Sequence, residues 1–145
     1  MSGDRQLMQW TKKLGLFDVM DNPLVIGILA WFFPGAGHFA QKRTARGLIL
    51  AAAIWLMYII GVLSGGAYYP GFDFNDGTLL YLLNVFATFG NGLGDLISYV
   101  LAIEPSKDVA ARATFEYGGR FLEVGGLLNY LAIIDAVDIC LGRKK

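Results

Sequence analysis

The sequence predicts an all-α integral membrane protein, a helical bundle of about four membrane segments. Hydrophobic residues make up 55% of the 145 residues and the mean hydropathy is +0.50. Charged residues make up 17%, against about 25% in average soluble domains. This composition excludes intrinsic disorder. Because the 12 basic residues balance the 12 acidic ones, the charge gives no reason to expect a nucleic-acid partner.

The first element is a polar stretch at residues 1–22, which precedes a single helical membrane domain at residues 23–145. Leu7, Trp10 and Leu14 recur at helical spacing beside basic residues. This pattern predicts an amphipathic helix in the membrane interface or a cap that packs on the bundle. Both interpretations remain open.

Four apolar segments follow, at residues 23–39, 47–65, 79–103 and 121–141. The second reads GLILAAAIWLMYIIGVLSG and has no charged residue. As a helix it would measure ~28 Å, close to the hydrocarbon thickness of a bilayer. It is therefore predicted to cross the membrane.

The other three segments are less regular. The first meets Pro34 and Gly35 after about ten apolar residues, and GNGLGD interrupts the third. The last is long enough to span but contains several polar residues. The first and last are predicted to be complete spans, kinked helices or re-entrant segments. Only the third shows an evident break, and no internal repeat of 20 to 50 residues is visible.

The basic residues predict an orientation. The turn at 41–46 contains three of them, whereas 66–78 contains none and has two aspartates. Because basic turns stay inside, 41–46 and the later basic turn at 104–120 should be cytoplasmic and 66–78 external. Basic residues near both termini also favour the inside, which four complete crossings would contradict.

Polar residues within or beside the apolar segments are the candidate functional groups. A carboxylate in lipid costs at least ~2.5 kcal/mol, so such groups usually face a partner or a cavity. They could conduct protons or cations, or they could lock helices together with Arg120 and His38 as counter-groups. We favour locking, because a transporter normally shows repeats and matching broken helices. The candidates are His38, Asn91, Asp95, Arg120, Asn129, Asp135 and Asp138.

Small residues predict close helix packing, since glycine lets backbones approach each other. The packing candidates are Gly35, Gly37, Gly61, Gly65, Gly90 and Gly94. The run at 34–40 also contains G-x-G-x-x-A, but no acidic residue follows at the spacing of a dinucleotide site. With one histidine and one cysteine, we predict no metal, no other cofactor and no catalytic centre.

Two stretches carry a family resemblance. WFFPGAGHFAQKRTARGLIL resembles the hairpin of the small bacterial two-transmembrane-helix domain, through Gly35, Gly37, His38 and Gly47. FEYGGRFLEVGGLLNYLAIIDAVDICLGRK is similar to the end of an uncharacterised bacterial membrane-protein family of unknown function, through Asn129 and Asp135. The resemblance implies a multi-pass protein of the bacterial inner membrane and no catalytic residue.

The function predicted from the sequence is structural. We expect an accessory subunit that packs against other membrane-protein subunits within the lipid bilayer. The alternative is a small transporter or channel that uses Asp95, Asp135 and Asp138.

Overall fold

The computed structural model describes residues 22–64, 78–100 and 113–144. Across these ranges every regular element is an α-helix, which confirms the predicted all-α class for this part of the chain. Residues 1–21, Gly65 and most of the predicted external turn lie outside it. The helices are α1 (Pro23–Phe32), α2 (Ala36–Ala40), α3 (Thr44–Leu63), α4 (Thr78–Phe89), α5 (Leu93–Val100) and α6 (Ala113–Cys140).

Helix α1 is short because the sequence defines both of its ends. The Asn22 side chain accepts a hydrogen bond from Leu24 N at 2.9 Å, and Pro23 occupies the first turn, where its missing N–H costs nothing. At the other end, Pro34 forces Phe33 into an extended conformation, so the helix stops. Its 10 residues rise only about 15 Å, half of a bilayer.

The chain then folds back on itself. Gly35 has a φ of 87°, a left-handed conformation that suits glycine, and it begins α2. Gly37 in α2 packs against Ala30 and Ile26 of α1. Residues 23–40 therefore form a helical hairpin that returns toward the end from which it starts, which agrees with the re-entrant alternative for the first segment.

Helix α6 is the central element of the described residues, since α1, α3 and α4 all pack on it. Helix α1 runs antiparallel to it, with Gly27 beside Ile133 and Val137. Helix α3 is also antiparallel, with Gly61 against Leu122. The 28 residues of α6 form one uninterrupted helix, so the re-entrant alternative for the last segment does not agree with the structure, unlike that for the first. Helix α3 alone among the described helices is long and apolar enough to cross a membrane.

The antiparallel packing corrects the predicted orientation of the basic turns. Arg46 lies at the start of α3, at the end of the bundle where α6 finishes. Arg120 lies in the early part of α6, beside the Gly61 region near the end of α3. The prediction placed both residues on one side of the membrane. It is wrong for these two arginines, because the two long helices run in opposite directions.

Candidate functional site at two helix breaks

Two helix breaks organise the interior of the described chain. The first, at residues 33–35, separates α1 from α2. The second, at residues 90–92 within the GNGLGD stretch, separates α4 from α5, and Gly92 there has a φ of 54°. The same pattern recurs at both breaks, Gly-x-Gly followed by a polar residue, at 35–38 and at 92–95. The sequence signals both breaks, since Pro34 and Gly35 end the first apolar segment and GNGLGD interrupts the third. The matching motifs are the further signal that the two breaks are alike.

The matching glycines also have matching positions. At each break the first glycine is left-handed and precedes the next helix, α2 or α5. The second glycine contacts a long helix: Gly37 lies against Ala136 of α6, and Gly94 lies against the ring of Tyr58 in α3. Tyr58 also donates a hydrogen bond to Gly94 O at 2.6 Å. The two breaks are thus two versions of one local arrangement.

The breaks meet at Asn129 of α6. Its Nδ2 donates to Gly90 O at 2.8 Å and to Trp31 O at 3.3 Å. These carbonyls belong to the ends of α4 and α1, where the helix itself leaves carbonyl groups without partners. The Asn129 side chain is 0% exposed. One buried amide therefore joins both broken helices to the central one.

Further hydrogen bonds close this region. Trp31 Nε1 donates to Phe89 O at 3.0 Å, and the two rings lie 4.9 Å apart. Asn91 Nδ2 donates to Thr88 O at 3.1 Å and to Leu122 O at 2.9 Å. We use the term central node for the five residues Trp31, Gly90, Asn91, Gly92 and Asn129.

Close backbone contact fixes the geometry of the central node. A methyl group at Gly90 would overlap the carbonyl oxygen of Gly126, and one at Gly126 would overlap the carbonyl oxygen of Ala87. Helices α4 and α6 can therefore approach this closely only because both positions are glycine.

A second polar group lies where α6 ends. His38 Nε2 is 3.1 Å from Asp135 Oδ2, and Lys144 Nζ is 2.8 Å from Asp135 Oδ1. Asp138 lies 3.5 Å from Arg143 and 3.9 Å from Lys144. The hydrogen bond to the Asp135 carboxylate raises the pKa of the Lys144 ammonium above its ordinary value. We use the term terminal cluster for His38, Asp135, Asp138, Arg143 and Lys144.

The structure sorts the predicted polar residues into groups. His38, Asp135 and Asp138 lie together, as do Asn91 and Asn129. His38 is the counter-group of Asp135 that the sequence analysis considered. Arg120 is not a counter-group for these acids, because it pairs at 2.6 Å with Glu123 of its own helix. Asp95 lies in the first turn of α5.

The predicted glycines that the structure describes all make contacts within the chain. Gly35 lies against Gly47, Gly61 against Leu122, and Gly90 against Gly126. Gly37 and Gly94 contact Ala136 and Tyr58, as described above. Within the described ranges, no group of three or more His, Cys, Asp or Glu side chains is placed to hold a metal ion.

The sequence analysis missed three polar residues that join helices. Trp31 and Tyr58 bond to main-chain carbonyls at the second break, and Gln41 Nε2 donates to Gly37 O and Ala136 O at 3.1 and 2.8 Å. Tyr58 is one polar group in an otherwise apolar span, and this contrast was an available signal. Trp31 looks like an interface anchor from sequence alone.

Comparison with known proteins places the chain in a family. No curated protein and no solved structure matches it. A sequence profile matches residues 25–145, which include every described helix except the first two residues of α1. The chain therefore belongs to the family of unknown function DUF6677.

Proposed function

We infer that the protein is a non-catalytic integral membrane protein that serves as a structural or accessory subunit of a larger membrane-protein complex. In this proposal α3 is the apolar span of the bacterial inner membrane, the more polar α6 crosses beside it with α1, α3 and α4 packed on it, and the pairs α1–α2 and α4–α5 enter the membrane as re-entrant segments. Together they form the four predicted membrane segments. The shortness of α1, its return through α2 and the shared ends of α3 and α6 support this arrangement.

The observation that carries the proposal is the apolar outer face of α3. Of its most apolar 18-residue window, 22% is buried against the rest of the described chain. Ile49 and Leu63 remain 69% and 81% exposed. The core helix of a soluble protein would be covered, and soluble monomers rarely expose large continuous apolar patches. Lipid and a partner subunit are the two surroundings that match such a face.

The interior supports a structural role. The amide N–H groups of Asn91 and Asn129 donate hydrogen bonds to main-chain carbonyls of other helices. The carboxylates of Asp135 and Asp138 form ion pairs with neighbouring basic side chains. Groups used in this way hold structural elements together.

Site-specific photocrosslinking in native membranes tests the accessory role. A crosslinker at exposed Leu56 or Ile59 should capture one membrane protein reproducibly, and a crosslinker at buried Ile54 serves as the matched control. Native mass spectrometry of the polymer-extracted complex should then give a fixed stoichiometry. Adducts to lipid alone, together with a chain that extracts without any protein partner, would overturn the proposal.

A second candidate function is supported by the two matching breaks. Discontinuous helices in corresponding positions are typical of transporters, whose half-helices surround an ion or substrate. In this alternative the protein is a small transporter or channel that uses Asp95, Asp135 and Asp138. Proton or cation flux into liposomes that Asp95→Asn abolishes and Asn84→Leu leaves intact would favour it. Equal rates in protein-containing and protein-free liposomes would reject it.

A further inference from the structure

We propose that the central node binds a monovalent cation, Na⁺ or K⁺, through the side-chain oxygens of Asn91 and Asn129. Asn91 is 4% exposed and Asn129 is 0% exposed. Within the described chain neither Oδ1 atom has a hydrogen-bond partner. Buried acceptors are nearly always satisfied in folded proteins, so two of them in one region point to a guest that accepts electron pairs.

The hydrogen bonds fix which end of each amide is available. Each Nδ2 has two hydrogens, and both of them donate to main-chain carbonyls. Only the two Oδ1 atoms remain available to a ligand. Asn91 Oδ1 lies 3.2 Å from the position that a Cβ would take at Gly125, one helical turn before Asn129. The Asn91 oxygen therefore lies against α6 one helical turn before Asn129, whose Nδ2 bonds to Gly90 O, the carbonyl that precedes Asn91 in the chain.

The charge distribution favours a positive guest. Helices α1 and α4 both end at the central node, as the bonds from Asn129 to Trp31 O and Gly90 O show. The C-terminal end of a helix carries a partial negative charge equivalent to roughly half an electron, and the N-terminal end of α5, which begins at Leu93, carries the opposite partial charge, so two negative helix ends lie beside one positive end. Asp95 lies in the first turn of α5, three residues after Gly92, and makes no ion pair with another described residue.

The chemistry of the oxygens selects the class of cation. Amide and carbonyl oxygens are neutral, whereas Mg²⁺ and Ca²⁺ sites in proteins are usually built with carboxylates that contact the metal directly. A shell of neutral oxygens near helix ends suits a singly charged alkali ion. The site would tie α1, α4 and α6 together, and it does not depend on whether the protein is an accessory subunit.

Thermal unfolding of the purified protein in detergent tests the proposal. Tm is measured while NaCl or KCl replaces choline chloride at constant ionic strength. With one of the two alkali ions we expect Tm to rise with the logarithm of the ion concentration once it exceeds Kd, by roughly 5 °C at a hundredfold excess. Identical Tm values in all three salts would overturn the proposal and leave the node as a site for water only.

Two variants locate the ion. Asn91→Asp adds a formal charge at the same position and should lower Kd, obtained from the ion concentration at which Tm begins to rise, roughly tenfold. If no ion binds, the same change buries an unpaired charge and lowers Tm equally in every salt, and this result would contradict the proposal.

Asn91→Leu should abolish the ion-dependent rise. The matched control Asn84→Leu, in α4 outside the central node, should keep it, and loss of the rise in that control would place the ion elsewhere.

Discussion

The central node and the terminal cluster both join α6 to other helices, but their surroundings differ. Asn129 is fully buried and donates to two main-chain carbonyls, whereas Asp135 is 29% exposed and accepts from two side chains. Water can replace a lost partner at the terminal cluster. At the central node Asn129 is shut off from bulk water, so a lost donor leaves a buried carbonyl unsatisfied. The neutral site should therefore matter more for stability than the charged one.

The largest expected effect comes from the backbone contact beside the central node. Gly126→Ala should destabilise the fold by about 3 kcal/mol, because the new methyl group overlaps a main-chain carbonyl that cannot move without its helix. The measurement is the free energy of unfolding in detergent micelles.

Gly119→Ala is the matched control in the same helix, since no described atom lies within 4 Å of a Cβ placed there. It should stabilise the protein by up to about 1 kcal/mol through helix propensity. Equal effects of the two substitutions would show that α4 does not pack on α6 at Gly126.

The next effect tests the donor at the central node. Asn129→Leu keeps the side-chain size but leaves Trp31 O and Gly90 O without their donor, which should cost about 2 kcal/mol. The same equilibrium unfolding measurement applies. A cost no greater than that of Asn84→Leu, outside the central node, would contradict its importance.

A smaller effect is expected at the terminal cluster. Asp135→Asn weakens the hydrogen bonds to His38 and Lys144, and the exposure of this site limits the cost to about 1 kcal/mol. Asp138→Asn, with its longer contacts, should cost less. If Asp135→Asn cost more than Asn129→Leu, the proposed ranking of the two regions would be reversed.

The smallest effect concerns alkaline pH. The folded-state pKa of Lys144 is raised above that of the unfolded chain by its bond to Asp135. Its stabilising contribution is therefore complete below the ordinary lysine pKa of 10.5 and disappears as the pH rises through the folded value. Unfolding curves between pH 9 and 12 should show this loss.

Lys144→Arg should shift that loss to higher pH, because guanidinium keeps its proton. Identical alkaline profiles for the two proteins would show that the Lys144 bond adds nothing to stability.

Much of the secondary structure follows from local sequence. The long apolar run predicts α3, and Pro34 and GNGLGD predict where helices stop, because proline and glycine act within one or two residues. His38 could be considered a counter-group for Asp135 because both are polar residues in apolar surroundings. Local rules of this kind need no knowledge of the fold.

The rest depends on contacts between distant residues. Nothing in the sequence pairs Asn129 with Trp31 O and Gly90 O, since main-chain carbonyls are present at every residue and only the fold selects two. Arg120 is a candidate counter-group for these acids by charge alone, whereas the structure pairs it with Glu123 of its own helix, because charge does not say which helix end a residue occupies. The resemblance of the two breaks is visible as a four-residue motif, which is much shorter than the 20 to 50 residues of a structural repeat.

The position of α6 in the chain has a consequence for biosynthesis. Ribosomes make α1, α3 and α4 before α6, yet α6 is the helix on which all three pack. Until it emerges, the carbonyls of Trp31 and Gly90 lack the Asn129 amide that later binds both. The earlier helices therefore lack part of their packing until α6 has been synthesised, and the fold is completed only after α6 packs on them.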